Sequence, residues 1–133
     1  MFTLCKSLIP TTALAALILS PACATDTAPC TSDFRAITVT LVDTAAAPVV
    51  DAIVASILLR TGDTLLASAV TSLDGTYVLV DDRSVGRIRS SGDSVTVNVR
   101  RATGPQINAR YIFDAPGGCH IRKVFGPDTL TVP

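Results

Sequence analysis

The stretch Pro48–Tyr77 reads P-V-V-D-A-I-V-A-S-I-L-L-R-T-G-D-T-L-L-A-S-A-V-T-S-L-D-G-T-Y. Within it, Ala52–Leu59 is an almost continuous apolar run, rich in Ile and Val and bounded by turn residues, as expected of a central strand. Its Ala and Leu residues also suit a short buried helix, which is the competing assignment. Thr61-Gly62-Asp63-Thr64 has the composition of a hairpin turn, after which Leu65–Val70 runs back. Ser72–Gly75 turns again. Thr76–Val80 then alternates, with Tyr77 and Leu79 on one face and Val78 and Val80 on the other.

The same rhythm extends outward in both directions. Upstream, Ile37, Val39 and Leu41 alternate with Thr38 and Thr40 over Arg35–Asp43. Downstream, Ser94–Arg100 places Val95, Val97 and Val99 on one face and Ser94, Thr96 and Asn98 on the other. Further strands are expected over Ile107–Phe113, Cys119–Phe125 and Thr129–Val132, with Pro- and Gly-rich turns between them. Asp81–Gly92 reads as a polar connection that Val85 and Ile88 pin to the core. The pattern predicts an all-β domain, an antiparallel Greek-key β-sandwich of about seven to eight strands.

The chain has 133 residues, enough for one domain of ordinary size. Residues 1–24 carry only Lys6 as a charge, and Leu8–Leu19 is apolar apart from Pro10, Thr11 and Thr12. Such a run is too short for a helix to cross a hydrocarbon core of about 30 Å. Followed by small residues, it reads as a secretory leader, with Ala22-Cys23-Ala24 suiting cleavage before Thr25. Leu19-Ser20-Pro21-Ala22-Cys23 also resembles a bacterial lipobox, in which Cys23 becomes the lipidated first residue. Ser20 and Pro21 depart from that pattern. Residues 25–34 then form a short tether and residues 35–133 the sandwich domain. Export places the mature chain in the periplasm or outside the cell.

From Thr25 onward there are 10 Lys and Arg (the 11 of the chain less Lys6) against 11 Asp, a net charge of −1. That balance provides no electrostatic call for nucleic acid. Membrane contact is expected only through a lipid at Cys23, and a protein partner is the remaining class. Cys5 leaves with the leader, so Cys30 and Cys119 remain as an even pair in an exported chain and are expected to be bridged. Two free thiols are the alternative.

The segment Val42-Asp43…Ala46…Pro48-Val49…Asp51-Ala52-x-Val54, followed by Thr71-Ser72…Gly75-x-Tyr77, resembles the carboxypeptidase regulatory-like domains. These are prealbumin-like sandwiches similar in layout to transthyretin. Ala46 and Asp51 stand where that family has Gly, and Ser72 where it has Asp. The resemblance implies a prealbumin-like fold and a non-catalytic accessory or interaction module.

Residues able to carry chemistry are sparse. His120 is the only histidine, so a zinc site lacks partners and no cofactor is expected. The hydrolases among transthyretin-like sandwiches use several His and end in Tyr-Arg-Gly-Ser, whereas this chain ends Thr-Leu-Thr-Val-Pro. His120 therefore reads as an exposed strand residue, and Asp81-Asp82 as a solvated turn. Asp74, Asp81, Asp82 and Asp93 match no calcium-loop spacing. Arg83, Arg87, Arg89, Arg100, Arg101 and Arg110 read as solvated charges rather than a basic patch. With no Trp, and with Tyr77, Tyr111 and Phe113 on core-like strands, the case for sugar platforms is weak. No catalytic residue is assigned. The reading is a structural or protein-binding module, and the alternative a small-ligand-binding or hydrolytic domain.

Overall fold

The computed structural model describes residues 30–68 and 74–133. The leader with Cys23, the tether as far as Pro29, and Ser72 lie outside the described residues. Eight strands run β1 Ala36–Val42, β2 Ile53–Leu58, β3 Thr64–Ser68, β4 Thr76–Asp81, β5 Asp93–Arg100, β6 Ile107–Asp114, β7 Arg122–Phe125 and β8 Thr129–Thr131. They form a three-stranded sheet in the order β4-β1-β8 and a five-stranded sheet in the order β3-β2-β5-β6-β7. The protein is therefore an all-β sandwich.

The period-two residues face each other across the two sheets. Val95, Val97 and Val99 of β5 are fully buried, as are Val39 and Leu41 of β1 and Tyr111 and Phe113 of β6. The rings of Tyr111 and Phe113 stack, with centroids 5.7 Å apart. Each buried side chain of this size removes enough apolar surface from water to contribute about 1.5–3 kcal/mol. β2 is a strand and not a helix. Val54, Ser56 and Leu58 point inward while Ile53 is exposed, so its apolar run covers the core with one face only. Ser56 Oγ is buried there without a hydrogen-bond partner.

Three elements depart from the expectation. All pairs in the larger sheet are antiparallel, but β8 lies parallel to β1, with Leu41 opposite Leu130. The polar connection after β4 begins with a 3₁₀ helix, Asp82–Arg87, while Ile88 behind it is buried as expected. The strand expected from Cys119 starts only at Arg122, because a 3₁₀ turn at Pro116–Gly118 carries Cys119 into a helical backbone conformation first.

The residues carrying the family resemblance meet where the chain passes from one sheet to the other. Leu41 N–H donates to Gly75 O, and Val49 N–H donates to Leu41 O. The buried Tyr77 hydroxyl donates to Val49 O and accepts from Ala52 N–H, both at 3.1 Å. Gly75 has a left-handed φ of 74°, and a Cβ there would lie 2.7 Å from Leu41 O. Any larger residue would separate β1 from this crossing. Gly126 lies against the Tyr111 ring so closely that a Cβ would fall 2.0 Å from Cδ1.

Ala46 occupies the turn after β1. Asp43 Oδ1 accepts from Ala45 N–H and Ala47 N–H and holds Ala46 at φ 63°. An L-residue in that region costs roughly 1–2 kcal/mol, while Gly adds roughly 0.5–1 kcal/mol of unfolded-chain entropy. Ala46→Gly is therefore expected to stabilise the domain by about 0.5–1 kcal/mol. Thermal denaturation should show a rise of a few degrees. A melting temperature that falls would contradict the strain assigned to Ala46.

Candidate functional site

A disulfide joins Cys30 to Cys119, with Cα atoms 5.2 Å apart. It holds two chain segments side by side, so the residues that follow, Thr31 and His120, also become neighbours. Thr31 Oγ1 lies 2.8 Å from His120 Nε2. On its other side, His120 Nδ1 lies 2.7 Å from Asp82 Oδ2. Asp82 is the first residue of the 3₁₀ helix after β4, so three separate parts of the chain build one continuous relay.

The carboxylate of Asp82 is fixed from several directions. Oδ2 accepts Arg35 N–H at 2.8 Å, and Oδ1 accepts Ile121 N–H at 3.0 Å. Asp82 N–H in turn donates to Arg35 O. Burial pushes the Asp82 carboxyl up, but the hydrogen bonds from His120, Ile121 and Arg35 outweigh it and hold the group below its ordinary value. An ionised Asp82 requires a hydrogen on His120 Nδ1. In the neutral imidazole the Nε2 lone pair then accepts from the Thr31 hydroxyl. The His120 and Asp82 side chains are 15% and 12% exposed, whereas Thr31 is open to solvent.

Two expectations are corrected here. His120 sits in the loop ahead of β7, largely shielded, and is not an exposed strand residue. Asp81-Asp82 is not a solvated turn. Asp81 is buried, caps the 3₁₀ helix through Arg83 N–H, and accepts Arg83 Nε at 2.9 Å.

The remaining acidic residues do not converge. Buried Asp93 takes Arg60 Nε at 3.1 Å, Arg89 Nε at 2.9 Å and Arg89 N–H at 3.0 Å. Asp114 accepts from Arg122 Nε and Nη2, and Asp74 Oδ1 accepts from Thr76 N–H. No three His, Cys, Asp or Glu side chains cluster for a metal among the described residues.

The arginines are likewise engaged rather than simply solvated. Arg83 pairs with Asp81, Arg87 with Asp63, Arg89 with Asp93 and Arg101 with Asp51, while Arg110 donates to Ser94 Oγ. Arg100 is exposed.

Thr31 is the member that sequence reading missed. Its signal was nonetheless present: the expected Cys30–Cys119 bridge places the residue after each cysteine beside the other, a Thr against the sole His. Comparison with protein-family models, with curated proteins and with solved structures returned no match.

Asp81 and Asp114 are held below the usual carboxylate range chiefly by Arg83 and Arg122. In Asp93, as in Asp82, burial pushes up, but here Arg60 and Arg89 outweigh it and the value is again lowered. A lowered folded-state value contributes stability above the unfolded carboxylate value of about 3.9, and this is lost as pH falls through the folded values. The melting temperature should therefore hold nearly level from neutral pH to about 5 and fall steeply below about 4. A melting temperature that increases on acidification through that window would contradict these assignments.

Reducing the bridge should also destabilise the domain. It closes a loop of 89 residues, which chain entropy values at roughly 4–5 kcal/mol. A realised loss of about 3 kcal/mol would lower the melting temperature by about 10 °C or more. Equal melting with and without reductant would show the bridge to be energetically idle.

Proposed function

We propose that this chain is an exported β-sandwich module with a structural or protein-binding role at the cell envelope. The observation that carries the reading is the Cys30–Cys119 bridge, placed just behind a leader-like segment. A disulfide of this kind persists in an oxidising compartment. The resemblance to carboxypeptidase regulatory-like domains, with their prealbumin-like layout, favours the same accessory role, and such a role needs no turnover. Phe34, Val124 and Phe125 are exposed large apolar side chains, and the last two lie on β7 at the edge of the larger sheet. They are surface available to a protein partner.

Expression of the whole chain with a C-terminal tag in a bacterial host tests the reading. Fractionation should recover the protein in the periplasm, medium or envelope with Cys30 and Cys119 bridged. Intact-mass analysis should then find either a chain beginning at Thr25 or a lipid-modified chain beginning at Cys23. Cytosolic protein that keeps residues 1–24 and two free thiols would overturn the proposal.

A further inference from the structure

The relay at the bridge has the connectivity of an activated nucleophile: carboxylate to Nδ1, and Nε2 to a hydroxyl. Both links fall within the distance over which a general base takes a proton, roughly 2.6–3.2 Å. Two backbone N–H groups lock Asp82, which fixes the ring plane and tautomer of His120. The exposure gradient follows the same logic, with base and carboxylate shielded and Thr31 an exposed residue. A link needed only to fasten the tether would not require its outermost member to face solvent.

We infer that Thr31 is an acyl-acceptor nucleophile, with His120 as its general base and Asp82 as the residue that positions His120. The substrate class is small carboxylic esters with an unbranched acyl group. The Thr31 hydroxyl is secondary, with its own methyl group beside the attacking oxygen, so bulky acyl carbons are disfavoured. In the first step the Thr31 Oγ1 lone pair forms a bond to the ester carbonyl carbon, and the hydroxyl proton passes to His120 Nε2. The resulting imidazolium is stabilised by Asp82. Collapse of the tetrahedral species breaks the bond to the leaving oxygen, which takes the proton from His120. The products are O-acyl-Thr31 and an alcohol.

General-base assistance of this kind is worth about 10²–10⁴-fold in rate. Oxyanion stabilisation is a separate contribution, and acyl capture, rather than fast turnover, is what these three residues support. The activity goes beyond the envelope role and is compatible with it, because a single acylation modifies the module without requiring release. It also depends on the bridge, since Cys30 carries Thr31 to His120.

The test uses the oxidised full-length chain and a fluorophosphonate probe. Attack by Oγ1 forms a P–O bond and expels fluoride, with the proton leaving through His120. Peptide mass spectrometry should place the adduct on Thr31, and p-nitrophenyl acetate should acetylate the same residue. Thr31→Ala should lose the adduct. Thr31→Ser, which removes the branching methyl group, should label several-fold faster. His120→Ala should slow labelling about 100-fold or more, and reduction of the bridge should slow it more than tenfold. If His120→Ala or the reduced chain fails to fold, the comparison of Ser and Ala at position 31 decides. No adduct at Thr31, or labelling of Thr31 that is unchanged in folded His120→Ala, overturns the assignment. Equal labelling of the Ser and Ala variants also overturns it.

Discussion

The inward stripe Val95, Val97 and Val99 on β5 must be covered by a second sheet, and the rest of the molecule depends on how that sheet is assembled. β1 is its centre, paired with β4 on one side and β8 on the other. β1 supplies Val39 and Leu41 to the core, and β4 supplies Tyr77 and Leu79. Val132, just past β8, closes the lower part of the same core and donates its N–H to Val42 O. With only a single apolar layer available between the sheets, loss of β1 would expose the β5 stripe. This is why Gly75 and the Tyr77 hydroxyl are spent on fastening the chain around β1.

The polar residues answer a second constraint. Strand ends must turn, and three of the turns here carry buried or shielded Asp side chains, Asp81 and Asp82 together at one and Asp93 and Asp114 at the others. A desolvated carboxylate is costly unless it is hydrogen-bonded and paired. A chain with no Glu and only two Lys meets this with short Asp acceptors and long Arg donors. Arg60 and Arg89 reach Asp93 from two different loops, so the ion pairs also fix where those loops sit. Among the described residues Ser56 departs from this rule, a buried hydroxyl with no hydrogen-bond partner amid Val54 and Leu58.

The strands were legible where alternation was regular. Val95-x-Val97-x-Val99 announces β5 and its inward face without help from any neighbour. The parallel placement of β8 was not legible, because a Thr-Leu-Thr segment pairs equally well in either direction and only the crossing from β7 decides. His120 looked exposed because its local sequence resembles a strand, whereas its setting is made by Asp82, 38 residues away. Thr31 had no local signal at all. Its role follows from the pairing of two cysteines, a long-range fact that turns two unremarkable dipeptides, Cys-Thr and Cys-His, into one site. Ala46 shows the converse: a local oddity, a non-glycine residue in a turn with a left-handed backbone.

The bridge has a mechanical consequence as well. A pull on the residues ahead of Cys30, resisted at the C-terminus, does not pass into β1. It crosses the covalent link to Cys119 and continues through β7 and β8. The 89-residue span between the two cysteines is therefore shielded from load, and about 300 Å of contour length is withheld at roughly 3.3–3.6 Å per residue. Of the described residues, those from Cys119 to Pro133 can be drawn out, and the parallel pairing of β8 with β1 is loaded in shear. Under tension the domain would yield by a short, fixed increment and keep β1–β6 inside a closed covalent loop, behaving as a stop on a cord rather than as a spring.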